Sequence, residues 1–154
     1  MTDIEYTKPT LHSIKQMQEL VLPEVKTGKI LFRSDDEIAT NIRSYIIAKS
    51  GNKLLGFGAL HIHTYNLAEV RSLIVDRDYR GKKIGQTLVQ KMILEAKELG
   101  IEKLFTLTYE QRFFENLNFR EIPKESLPEH KIWADCVKCK HFPICDEVAL
   151  IIHL

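Results

Sequence analysis

The stretch VDRDYRGKKIGQTLV, Val75 to Val89, joins two kinds of pattern. Leu73-Ile74-Val75 is an apolar run of strand type, and from Ile84 onward apolar residues recur at Leu88, Met92 or Ile93, and Ala96 with helical spacing. Between them stands Arg80-Gly81-Lys82-Lys83-Ile84-Gly85, with two glycines and three cations at the hand-over. The first four N–H groups of a helix lack intrahelical partners, and the dipole at that end favours anions. Glycine lets a ligand approach the backbone closely. A phosphate site is built this way. A surface turn leading into a helix uses similar residues, so the surroundings must decide.

Working outward, the helix is expected from Gly81 or Lys82 to about Leu99, with Gly100 in the helix-ending position. Ala68 to Val75 reads as the strand before it. Tyr45-Ile46-Ile47-Ala48 and Leu54 to His63 flank the turn cluster Ser50-Gly51-Asn52-Lys53 and read as a hairpin. Nearer the start, Ile4 and Tyr6 alternate with polar residues as a short strand. Thr10 can cap a helix with Leu11, Ile14, Met17 and Val21 on its apolar side and Pro23 at or just past its end. Ser34-Asp35-Asp36-Glu37 is a capping box for a second short helix reaching about Ile42. Beyond Gly100, Leu104 to Thr108 is a strand, Glu110 to Leu117 a short helix, and Phe119 to Ile122 and Val148 to His153 two more strands. Mostly antiparallel strands with one long helix make an α+β fold.

Composition bounds the function. A chain of 154 residues with 44% hydrophobic content fits one domain, residues 1–154. Net charge is +1, from 22 basic and 21 acidic side chains, which argues against nucleic acid or a polybasic membrane surface as partner. The N-terminus has no basic, apolar leader, and no apolar run approaches the roughly 20 residues that span a bilayer, so a cytoplasmic location is expected. Three cysteines are an odd number and do not suggest a secreted disulfide framework. All of them, with Trp133 and three prolines, fall in a polar excursion at about 123–146, before the last strand.

AEVRSLIVDRDYRGKKIGQTLV, Ala68 to Val89, resembles the acetyl-CoA signature of the GNAT N-acetyltransferase superfamily. That signature is Gln or Arg, two residues, Gly, one residue, then Gly or Ala, opening the long helix. Arg80 fills the first place and Gly85 the last, while Lys83 stands where the family most often has its middle glycine. The change is harmless if Lys83 gives only its N–H, and costly if the backbone there needs positive φ. The resemblance implies a central, mostly antiparallel mixed sheet flanked by helices. It implies acetyl-CoA as cosubstrate, with its pyrophosphate on Arg80, Gly81, Lys82, Lys83, Ile84 and Gly85. The pantetheine arm then pairs with the backbone of Leu73, Ile74 and Val75. Glu69, six residues before Val75, stands where several members carry a general base. An ammonium must lose a proton before it attacks a thioester. A surface carboxylate facing water is the competing reading of Glu69. The family's tyrosine acid, in a Tyr-x-x-x-Gly-Phe motif, is replaced here by Phe114, with Asn118 for the glycine. Water can protonate the leaving thiolate instead. Tyr109 lies nearby and reads as a core or rim tyrosine.

LFRSDDEI, GFGALHI, LAEVRSLIV, LTYEQRFFENLNF and KIWADCVKCKHFPICDEVAL together resemble the short, single-domain N-acetylglutamate synthases. The resemblance implies L-glutamate as small-molecule acceptor. Two carboxylates call for cations, best supplied by arginine. Arg71 is two residues after Glu69, so the two share a strand face. Arg33 precedes the second helix, beside the Ser34 hydroxyl, and Lys131 sits in the excursion. Each alone also reads as a solvated charge. Cys136, Cys139, His141 and Cys145 have the ligand types of a structural zinc site, or are reduced thiols packed under Trp133. His61 and His63 read as partly buried strand residues. Rival functions are acetylation of another amine or a protein, and a non-catalytic coenzyme A-binding module. A homodimer is expected by analogy alone.

Overall fold

Strand-type runs of the sequence become β1 (Glu5–Thr7), β2 (Tyr45–Ser50), β3 (Lys53–Thr64), β4 (Leu67–Val75), β5 (Lys103–Thr108), β6 (Arg120–Ile122) and β7 (Val148–His153). The computed structural model describes residues 3–127 and 147–154. Among the described residues the strands form one sheet in the order β1-β2-β3-β4-β5-β7-β6, in which only β4 and β5 pair in parallel. The helices are α1 (Ile14–Lys26), α2 (Asp35–Thr40), α3 (Ile84–Leu99) and α4 (Gln111–Glu115). Lys131, Cys136, Cys139, His141 and Cys145 lie outside the described residues.

The pleat sends alternate residues to opposite faces. Ile46 and Ala48 of β2 join Leu60 and Val70 against Ile84, Leu88 and Met92 of α3. Tyr45 and Ile47 join Phe57 and Ala59 against Ile14, Met17 and Val21 of α1 and Ile38 of α2. Covered on both faces, the centre of the sheet is apolar at nearly every position of β2 and β3. Burying each such large side chain contributes about 1.5–3 kcal/mol.

Several local expectations shift. The first turn after Thr10 is a 3-10 turn, Leu11–Ser13, and Leu11 is exposed instead of facing the core. Pro23 lies inside α1, because Val25 still packs on the core one turn after Val21. Only one ladder bond is lost there, since proline lacks an N–H. Helix α2 stops at Thr40, and Ile42–Ser44 form a 3-10 turn. Helix α3 begins at Ile84, later than Gly81 or Lys82, because Lys83 is left-handed at φ 64°. A left-handed residue cannot continue into an α-helix, and for a non-glycine residue it costs about 1–2 kcal/mol. Gly100, at φ 88°, ends the helix as expected.

Two β-bulges sit in the β3–β4 hairpin. The register runs Ile62↔Ala68 and then Thr64↔Leu67, so His63 is an extra residue on β3. Farther along, Ala59↔Arg71 is followed by Phe57↔Ile74, so Ser72 and Leu73 of β4 oppose Gly58 alone. Ser72 has φ 58°, as a bulged residue requires. A Cβ at Gly58 would come within 2.9 Å of the end of the Met92 side chain and 3.2 Å of Leu73, so alanine there would make both side chains shift. Pairing of β4 with β5 covers Leu67↔Lys103 to Glu69↔Phe105 and no further, while β4 continues to Val75. Beyond that row the two strands part.

Candidate active site

Where β4 and β5 part, a cleft of about 620 Å³ opens. Its walls are β4 from Glu69 to Val75 and the end of β5 from Thr106 to Thr108. Its floor toward one end is the loop Tyr79 to Gly81 and the start of α3, and its roof includes Gly28 to Leu31 and Arg33 from the connection between α1 and α2. Thr106 is buried and its hydroxyl donates to Val70 O at 2.9 Å, a side-chain bond at the point where the backbone ladder stops.

The glycine-containing loop leads into α3, with a later helix start than the sequence suggests. Lys83 is the N-cap of α3 and makes no side-chain cap bond, and the first bond of the helix runs from Thr87 N to Lys83 O. The N–H groups of residues 84–86 precede that ladder, and Ile84, Gly85 and Gln86 all line the cleft. A Cβ at Gly85 would lie 3.5 Å from Phe113 and Val75, an ordinary contact, so the fold itself tolerates alanine there while a larger group fills the cleft. Arg80 is anchored by its Nε donating to Val75 O at 3.3 Å and by an ion pair with Glu24 at 3.5 Å. Lys82 does not line the cleft; its ammonium sits 5.9 Å over the Tyr79 ring.

The profile of the acetyltransferase (GNAT) family matches residues 11–119. The chain belongs to the GNAT acetyltransferase family. It is 38% identical over 124 residues to an uncharacterized N-acetyltransferase of Chlorobaculum tepidum, covering 80% of this chain and 79% of that one. It is 31% identical over 123 residues to the amino-acid acetyltransferase of Mannheimia succiniciproducens, covering 75% of this chain but only 28% of that protein. The chain therefore spans under a third of that longer relative. Among solved structures, the N-acetylglutamate synthase of Neisseria gonorrhoeae, complexed with coenzyme A and N-acetyl-glutamate, superposes with a TM-score of 0.88 at 20% identity, over 100% of this chain and 36% of that one. A Mycobacterium tuberculosis protein in complex with CoA gives 0.81 at 20% identity, over 97% and 99%. These neighbours share the GNAT fold, a mixed sheet with flanking helices, and hold coenzyme A, in keeping with acetyl-CoA as cosubstrate here.

The cleft of this GNAT domain fits that molecule on its own terms: N–H groups at the start of α3 beside a residue lacking Cβ, then the stretch of β4 from Ser72 to Val75, past the last pair that β4 makes with β5 among the described residues. Replacing Gly85 with leucine is expected to raise the Kd for coenzyme A at least tenfold with the melting temperature little changed. Equal affinity in the two proteins, read by calorimetry, would remove residues 84–86 from the coenzyme site.

Glu69 is 1% exposed and lines the cleft, so it is not a carboxylate facing water. His63 meets it: His63 Nε2 lies 2.8 Å from Glu69 Oε1, and both side chains are buried. Arg71 and Arg33 also line the cleft. They converge near Tyr45, which stands in one cross-strand row with Ala59 and Arg71. Burial pushes the Tyr45 phenol up from its ordinary value, and Arg33 and Arg71 pull it back down, while Glu37 adds to the rise. Arg33 Nη1 lies 3.9 Å from Glu37 Oε2. Ser34 does not line the cleft. Its hydroxyl accepts from Glu37 N at 3.1 Å, and the Glu37 carboxylate answers its N–H, so capping uses the group expected at the acceptor. Tyr109 is a rim residue of the cleft, and Phe114 is buried beside it. Glu147, where the described chain resumes after the excursion, lines the cleft too. Among the described residues no group of His, Cys, Asp and Glu is arranged to hold a metal, and no helix is long and apolar enough to cross a membrane.

Non-glycine residues with positive φ, among those described, are Ser72, Lys83 and Asn118. The latter two stand at the two places where the motifs it resembles have glycine and this chain does not, so the backbone shape is kept and the chain bears the cost; asparagine does so most easily. Such outliers gather at functional sites. His63, Tyr45 and Thr106 were missing from the set that the sequence singled out for chemistry. Only pairing register brings them in.

Proposed function

We propose that this GNAT domain transfers the acetyl group of acetyl-CoA to the α-amino group of L-glutamate, as an N-acetylglutamate synthase working at the first step toward arginine in the cytoplasm. The observation that carries the reading is the convergence of Arg33 and Arg71 beside Tyr45 on the cleft face that holds Glu69. Similarity to amino-acid acetyltransferases over three quarters of the chain supports it.

Acetyl-CoA supplies an acetyl thioester, which an uncharged amine can attack. The N–H groups at the start of α3, with Arg80 and Lys83, hold the pyrophosphate, and the backbone of Leu73, Ile74 and Val75 holds the pantetheine arm. Arg33 and Arg71 take the acceptor carboxylates as paired, charge-assisted donors, with Lys131 as a further cation. Glu69 removes the proton from the acceptor ammonium, directly or through a water. Phe114 has no proton to give, so water protonates the departing thiolate.

The test is thiol release from acetyl-CoA with a panel of acceptors, compared by kcat/KM. L-Glutamate should be best. Glutamine should fail because a guanidinium is left without its anion, and aspartate because its shorter chain does not reach both cations. Preference for a lysine-bearing peptide would overturn the glutamate reading and keep the family. No turnover with any acceptor, despite tight acetyl-CoA binding, would mark a binding module.

A further inference from the structure

We infer that Thr106 is a positioning residue for the reacting end of the coenzyme: its hydroxyl ties β5 to β4 at the inner end of the cleft and so sets how deep the acetyl thioester reaches. The inference rests on the coenzyme arm running along β4 from Val75 toward Glu69, as proposed above.

The parallel ladder shows where the two strands part. Lys103 N donates to Asn66 O at 3.0 Å, and the bonds of a parallel pair recur every two residues along each strand. On that pattern Ala68 O is the acceptor for Phe105 N–H, and Val70 O the acceptor for Leu107 N–H. The pairs run from Leu67↔Lys103 to Glu69↔Phe105, and among the described residues Arg71↔Leu107 does not follow them. At this row a side chain takes over. The hydroxyl of Thr106, a residue 3% exposed, donates to Val70 O at 2.9 Å. Threonine suits the place: branched at Cβ, it is stiff at χ1, so its hydroxyl keeps one direction.

A bond made through a side chain keeps the strands tied at Val70 while their backbones separate beyond it. The Val70 carbonyl belongs to the peptide that links Val70 to Arg71, so the tie fixes the stretch of β4 between Glu69 and Arg71. Val70 and Thr106 both line the cleft, as do Glu69 and Arg71. An arm lying on Leu73, Ile74 and Val75 meets this tie at its acyl end, while its pyrophosphate lies at the start of α3. Without the hydroxyl a buried carbonyl loses its donor, and the peptide shifts toward another. The thioester is then misplaced, whereas the rest of the coenzyme keeps its contacts.

The experiment compares Thr106→Val, Thr106→Ser and Thr106→Ala in the full chain. Calorimetry reads the Kd for CoA and for acetyl-CoA, and turnover is followed with the acceptor that the native protein uses fastest. Thr106→Val keeps the shape and removes the donor. It should lose about tenfold or more in kcat, since a misplacement of about 1 Å costs up to ~100-fold, while the Kd for CoA stays within about twofold. The ratio of the acetyl-CoA Kd to the CoA Kd should change in Thr106→Val, a reading that needs no acceptor. Thr106→Ser keeps the hydroxyl and should recover most of the rate and the native ratio. Thr106→Ala carries the comparison if Thr106→Val melts below the assay temperature. Native turnover with a native Kd ratio in the variants that lack the hydroxyl would overturn the inference. A folded Thr106→Ser as slow as Thr106→Val would overturn it as well, because the donor would not be what matters. So would a loss of CoA affinity in step with kcat, as Thr106 would then support the whole cleft. CoA affinity unchanged in Gly85→Leu would instead remove the coenzyme path on which the inference rests.

Discussion

Glu69→Gln should lower turnover about 10²-fold or more at neutral pH while acetyl-CoA binds as before. The substitution keeps the size of the side chain and removes only its ability to accept a proton. Glu69 is buried at the head of the cleft, where the β4–β5 ladder stops, so few other groups can take its place. The rate of the variant should climb with pH faster than that of the native enzyme, since a free amine needs no base. Measured from pH 6 to pH 10, the two profiles should converge at the alkaline end. Parallel profiles, or near-native turnover at neutral pH, would assign deprotonation to a backbone carbonyl and water instead.

Arg71→Ala is expected to have the second large effect, and on binding. If Arg71 meets a carboxylate of the acceptor, its removal takes away that carboxylate's guanidinium, a loss of about 3–5 kcal/mol when such a pair is buried. The glutamate KM should rise by two orders of magnitude or more, as about 1.4 kcal/mol is tenfold. The acetyl-CoA KM should stay near its native value. Arg33→Ala should act in the same direction and less strongly, since Glu37 already shares its guanidinium. Equal rises in the two KM values would mean that Arg71 supports the cleft as a whole and does not read the acceptor.

Local chemistry is legible in the sequence, and pairing only where a short turn joins the strands, as in the β2–β3 hairpin. The glycine at 85, the stop at Gly100 and the capping box from Ser34 to Glu37 are written in neighbouring residues, and each stands in the structure. The α+β class followed from strand runs around one long helix. What failed needs contacts between distant residues. Bulges at His63 and at Ser72 depend on how β3 and β4 align, which alternation alone does not reveal. The bulge at Ser72 falls where β4 has left β5 and lines the cleft. The start of α3 slipped because a lysine took a left-handed conformation that sequence rules reserve for glycine. Ser34 reads as either a cap or a ligand, and in the structure its hydroxyl caps α2, with Glu37 in reach from the same turn. Glu69 enters through the resemblance to the GNAT signature, and its burial comes only from the sheet.

The central claim is that this cleft joins an acetyl thioester to the amine of a dicarboxylic amino acid. One measurement tests it most directly. The native protein is incubated with acetyl-CoA and L-glutamate, and free thiol and acetylated product are followed together, the product by mass and fragmentation. The account predicts one N-acetyl-L-glutamate, acetylated at the α-amino group, for each thiol released, and almost no product from Glu69→Gln at neutral pH. Thiol release without acetylated glutamate, or acetyl groups recovered on lysine side chains instead, would contradict it.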